Sequence, residues 1–179
     1  MAEGLEGFEG HGKHEESPLT IPVAVTMSIL AVLVAIATLL GHRAATEEIM
    51  LQTKATDQWA YYQSKNIRLH EMQSVIDLLA SLAPADKEKA ATLQEKYKKD
   101  MERYQDDKES ISEEAKKLET ERELAERKED RFDAGEVILE IGLIVCSLTL
   151  LTNKKLFWYA GMVLGIAGFL VALSGFLLR

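Results

Sequence analysis

The stretch LTIPVAVTMSILAVLVAIATLLG, residues 19–41, carries no charged side chain, over a length that suits one crossing of a bilayer whose apolar core takes about 20 helical residues. Residues 134–152 and 156–178 are apolar in the same manner, the former interrupted by Glu136 and Glu140. Between the first apolar stretch and the second lies a long polar run in which Glu, Lys, Arg and Gln intermingle. The chain therefore reads as an all-α membrane protein with three transmembrane helices and a large excursion between the first and second. The expected division is a disordered acidic tail over 1–18, spans over 19–42, 134–152 and 156–178, and a helical hairpin stalk over 43–133.

Averages over the chain hide this division. A hydrophobic share of 47% and a net charge of −8 are the mean of three apolar segments and one charged one, so no single globular class applies. The excursion has room for a helical hairpin but little for a catalytic domain with a deep pocket. Its mixed charges describe a solvated face, and the acidic balance speaks against nucleic acid. The chain's 1 cysteine, Cys146, lies mid-span and reads as a small apolar packing residue. Ala35-Ile36-Ala37 imitates a signal-peptide cleavage site. The preceding tail, however, carries Glu3, Glu6, Glu9, Glu15 and Glu16, and the apolar run is too long for a signal core. Residues 19–41 are expected to be a retained span.

Within the excursion, no proline occurs from Pro22 to Pro84, and the one glycine in that interval is Gly41. Span and soluble helix should therefore be continuous. Pro84 breaks the run near 83–86, and Asp86 is placed to favour the next helix N-terminus. The second helix carries a seven-residue ladder, Ala90, Tyr97, Tyr104, Ile111, Leu118, Ala125 and Phe132. The first carries Ala55, Tyr62, Leu69, Ile76 and Ala83. Two such stripes joined by a short turn are the pattern of an antiparallel coiled-coil hairpin. Its arms would reach roughly 60–75 Å at 1.5 Å per residue.

Three groups of residues stand out as candidate sites. Small residues at Ala24, Ser28, Ala31, Ala35 and Thr38 in the first span, and at Gly161, Gly165, Gly168, Ala172 and Gly175 in the third, form smooth stripes. In lipid such stripes let helix backbones approach closely, either within one chain or between copies. His42 and Arg43 end the first span, and Glu136 and Glu140 open the second on the same membrane side. A carboxylate in an apolar segment needs a partner or a proton, so an Arg43–Glu140 or His42–Glu136 contact is expected, with His42 open to a pH-sensing role. Trp59, Tyr61 and Tyr62 form the densest aromatic cluster of the soluble part, suited to stalk contacts.

No phosphate loop, nucleophile elbow or paired ligand set is present in the sequence. His11 and His14 lack the ligand count and preorganisation of a metal centre. No catalytic residue, cofactor or metal is therefore expected. If the stalk is cytoplasmic, Arg43, Arg127, Lys128, Arg131 and Arg179 lie inside and Lys13, Lys154 and Lys155 outside, which the positive-inside rule favours.

The run Asp57-Gln58-Trp59-Ala60-Tyr61-Tyr62-Gln63-Ser64-Lys65, following the Gly41-His42 exit of the first span, resembles the bacterial domain-of-unknown-function family 4337. That family pairs an acidic, His-bearing tail with a span, an Asp-Gln-Trp-x-Tyr-Tyr-Gln-x-Lys stretch, a charged helix and two closing spans. The resemblance implies this architecture and a bacterial envelope location, and carries no activity with it. The functional expectation is a non-enzymatic, multi-pass inner-membrane scaffold. Its partners would be the bilayer, itself as a homo-oligomer, and another membrane or soluble protein met through the stalk. The alternative is an oligomeric ion conduit, or a pH-responsive accessory subunit of a transport system.

Overall fold

The computed structural model describes residues 18–82 and 86–178. The expected tail as far as Ser17, with His11 and His14, lies outside the described residues, as do Ala83, Pro84, Ala85 and Arg179. Among the described residues the regular structure is helical throughout: α1 (Thr20–Ser81), α2 (Lys87–Thr152), α3 (Lys155–Ser174) and a closing 3-10 turn (Gly175–Leu177). Each of α1, α2 and the run Lys155–Leu177 holds a segment long and apolar enough to cross a membrane.

Local chemistry accounts for the ends of these helices. Pro22 stands in the first turn of α1, where its missing N–H has no intrahelical partner to lose. The whole of α1, 62 residues, runs through Gly41 without a break. Asp86 caps α2, its Oδ1 accepting from the Lys89 backbone N–H at 3.1 Å, while the Lys89 side chain and N–H hold its carboxyl below the usual aspartate range. Between α2 and α3 the chain reverses at Asn153, whose φ of 54° is a left-handed conformation that asparagine tolerates.

The described residues fall into two units by their contacts, one of 18–38 and Asp133–Leu173, the other of 39–82, 86–132 and 174–178. The first unit is a three-helix bundle whose interior combines small residues with Val23, Leu30 and Leu139. On α2 the buried positions are Gly135, Leu139, Gly142, Cys146 and Thr149, and on α3 they are Gly161, Gly165, Gly168 and Ala172. The two sets mesh in antiparallel order. A Cβ on Gly135 would strike Ala172, one on Gly161 would strike Cys146, and one on Gly168 would come within 2.8 Å of the Leu139 backbone nitrogen. Each glycine is thus the hole for a larger residue on the facing helix. Helix α1 closes the bundle with Val23, Leu30 and Ala37, and Leu30 fills the space over Gly165. Across the same helix, Trp158 Nε1 donates to Thr26 Oγ1 at 3.0 Å.

In the second unit α1 and α2 run antiparallel and pack on seven-residue spacing. Ala44, Leu51 and Ala55 of α1 are buried, as are Ile111, Ala115, Ala125 and Phe132 of α2. The 3-10 turn folds onto the base of this pair, with the Phe176 ring edge-on to Phe132 at 5.3 Å. The ladder of α1 is double. Beside Ala55, Tyr62, Leu69 and Ile76 runs a second stripe of Ala44, Leu51, Gln58, Lys65, Met72 and Leu79, all buried or half-buried.

The bundle makes a differential prediction. Gly168→Ala sets a methyl against backbone, so α2 and α3 must separate, a strain that costs about 1–3 kcal/mol. Gly165→Ala meets only the movable end of the Leu30 side chain and should cost far less. Unfolding of the intact protein in mixed micelles, followed by circular dichroism, should show a clear loss for the first variant and a small one for the second. Equal losses would contradict this packing.

Candidate functional site

The stripe that faces α2 in the second unit contains a residue that an apolar seam would not tolerate alone. Lys65 is 8% exposed, and an unpaired ammonium there would be strongly unfavourable. It is paired. Lys65 Nζ donates to Asp107 Oδ2 at 2.7 Å and lies 4.5 Å from the Tyr104 ring centroid and 5.3 Å from that of Tyr61. The hydrogen bond to Asp107 raises the Lys65 pKa, outweighing the opposing effect of burial.

One residue along, the arrangement repeats with the helices exchanged. Lys108 Nζ of α2 donates to Asn66 Oδ1 of α1 at 2.7 Å, and sits 4.9 Å from the Tyr62 ring. Each helix thus supplies one lysine and one short acceptor, and α1 adds a tyrosine to each half. Tyr62 in turn meets Trp59 edge-on at 5.5 Å, and Trp59 Nε1 donates to Glu119 Oε1 of α2 at 2.8 Å. Further along, Arg122 of α2 donates to Glu48 of α1 at 3.1 Å and to Glu126 at 3.0 Å. Gln52, Thr56, Trp59, Glu119, Arg122 and Glu123 wall a polar cleft of about 320 Å³ beside Ala55.

This clasp aligns two helices through fully specified donors and acceptors. Sliding one helix by a turn would leave Lys65 buried and parted from Asp107. The aromatic residues singled out from the sequence all belong to it: Trp59 and Tyr62 are half-buried, and Tyr61, though 50% exposed, lies beside Lys65. Sequence reasoning missed Lys65, Asn66, Asp107, Lys108 and Glu119 as its partners. The available signal was a lysine seven residues beyond Gln58 and seven before Met72, on a stripe too mixed in polarity to attract notice.

The small-residue faces have different surroundings. Gly161, Gly165, Gly168 and Ala172 are buried within the first unit, and Gly175 is buried in the second, where a Cβ would lie 3.1 Å from Phe132. Ala24, Ser28, Ala31 and Ala35 are exposed. Gly135 and Gly142 of α2, which face α3, escaped the sequence reading, although Gly135, Gly142 and Thr149 repeat at seven residues. In the polar cluster, Glu136 accepts from Thr38 Oγ1 at 2.6 Å. Glu140 is exposed on α2 in the first unit, and His42 and Arg43 are exposed on α1 in the second. Among the described residues, no group of three or more His, Cys, Asp or Glu is placed to hold a metal.

The family model described as Domain of unknown function (DUF4337) matches residues 19–178. No curated protein matches the chain, and no solved structure does. With its match running through all three helices and the clasp between α1 and α2, this chain belongs to the DUF4337 family.

Proposed function

We propose that this protein is a non-enzymatic scaffold of the bacterial inner membrane that self-associates through the apolar part of α1 and presents its α1–α2 hairpin, on the cytoplasmic side, as an interaction arm. The observation that carries this reading is the inverted build of the three-helix unit. Its α2–α3 seam is largely glycine, alanine and cysteine, with Val23, Leu30 and Leu139 the large apolar side chains inside the unit, while Ile21, Val25, Ile29, Val32, Ile36, Ile144, Val163 and Ile166 are exposed. Large apolar side chains outside and a small-residue seam inside suit lipid as solvent, where close backbone packing rather than apolar burial drives association.

Self-association is assigned to α1 because its small-residue face is the one the chain leaves uncovered. Ala24 and Ser28 line a groove flanked by Val25, Ile29, Val32 and Leu33, a furrow beside a ridge. Two such helices can each place the ridge in the other's furrow. The glycine face of α3 has no part in this, since it is spent inside the chain. The hairpin, with its clasp, supplies an arm of defined register.

A second reading rests on Glu140, a carboxylate exposed within the apolar part of α2. In lipid it would be costly without a partner or a proton, which fits an ion or proton path at a subunit junction. Glu140→Gln in liposomes would abolish ion flux on that reading, and unchanged flux would remove it.

The scaffold reading is tested by native mass spectrometry of the intact protein in nanodiscs. The wild type should give a defined oligomer, and Ser28→Leu with Ala35→Leu should shift it to monomer while helical content stays constant. A monomeric wild type, or an oligomer indifferent to both substitutions, would overturn it.

A further inference from the structure

Burial along the α1–α2 hairpin changes abruptly at the clasp. On the side of Lys65 and Asp107 away from the turn, Ala44, Leu51, Ala55, Ile111, Ala115, Ala125 and Phe132 are all buried. On the turn side, no described residue over 66–106 is buried. The heptad stripe continues there through Leu69, Met72, Ile76 and Leu79, but these side chains are only half-covered. Ile67, Leu78 and Leu82 are 58%, 55% and 57% exposed. On α2 in this region Tyr97, Asp100 and Met101 are likewise only half-buried.

We infer that the hairpin is a two-stage device, in which the distal arms 67–82 and 86–106 open as a unit while the proximal part stays zipped, and the Lys65–Asp107 and Lys108–Asn66 clasp is the point where opening stops. Three physical facts carry the inference. A region with few buried apolar contacts and largely solvated helix surface has a low opening free energy. The two distal arms have little apolar contact except with each other, and in proteins most helical stability comes from tertiary packing, so loss of their contact weakens both arms together. Opening further would strip Lys65 from Asp107 while Asn66 and Lys108 also part. Breaking those buried or half-buried pairs makes the next step much less favourable than the preceding ones. Trp59 with Glu119 and, further from the turn, Arg122 with Glu48 then back the clasp.

The proposal concerns the hairpin alone and stands whether or not the protein self-associates. Its test is native-state hydrogen exchange of the intact protein in detergent micelles, read by mass spectrometry on peptides along both arms. Peptides from 67–81 and 87–106 should exchange at least about tenfold faster than those from 44–60 and 111–132, with the two distal arms matching each other. The step should fall at Lys65 and Asp107. A uniform profile, or distal arms that exchange at unrelated rates, would overturn the proposal.

Asp107→Ala tests the clasp itself, because it leaves the Lys65 ammonium in place without its carboxylate. The fast zone should then extend past Asp107 toward Ile111, and Lys65→Met combined with Asp107→Leu, which removes both charges, should draw it back. A step unmoved by Asp107→Ala would show that the clasp does not set the boundary. Collapse of protection along the whole hairpin would also count against the proposal, since Ile111, Ala115 and Ala125 should keep the proximal part closed.

Discussion

A helix of 62 residues that buries positions seven apart must keep one face toward its neighbours, and α1 does so from Val23 through Leu30, Ala37, Ala44 and Leu51 to Lys65. An α-helix has 3.6 residues per turn, so a strict repeat of seven drifts by about 20° per heptad and is held in phase by slight supercoiling. No insertion or proline disturbs the count between Pro22 and Ser81. The same phase therefore serves two kinds of surroundings. In the first unit it presents Leu30 and Ala37 to α2 and α3, and in the second it presents Ala44 and Leu51 to α2.

What changes along the repeat is the chemistry that fills it. In the three-helix unit the seams are made of holes: Gly135, Gly161, Gly165 and Gly168 receive Ala172, Cys146, Leu30 and Leu139 respectively, and Gly142 lies against the α3 backbone at Gly161 and Gly165. Such packing works by close approach and needs no water to drive it. In the two-helix unit the seam combines alanine and isoleucine with charged and aromatic pairs. Those pairs contribute modestly to stability, because desolvation offsets much of their attraction. Their larger effect is on specificity, since they have one register in which every donor finds its acceptor.

The Asp-Gln-Trp-x-Tyr-Tyr-Gln-x-Lys stretch that carries the family resemblance is therefore largely an internal device. Trp59, Tyr61, Tyr62 and Lys65 each meet a group on α2 or a neighbour on α1. An aromatic cluster suited to contacts of the stalk serves here to align two helices. Uncovered apolar side chains lie along the apolar part of α1 and, in the hairpin, at Ile67, Leu78 and Leu82.

Helix number and helix continuity were legible in the residues. Apolar runs, prolines at 22 and 84, and seven-residue ladders act locally and leave few alternatives. The stripes of Ala55 and Ile111 were equally readable, because apolar periodicity is a property of one helix at a time. Which small-residue stripe is spent within the chain was not readable, since Ala24 and Gly161 obey the same spacing. Only the meshing of Gly161 and Gly168 with Cys146 and Leu139 decided it. The clasp was hidden for a related reason. Pairing Lys65 with Asp107 and Lys108 with Asn66 depends on the register between two helices separated by the turn, and a register exists only once both helices are packed.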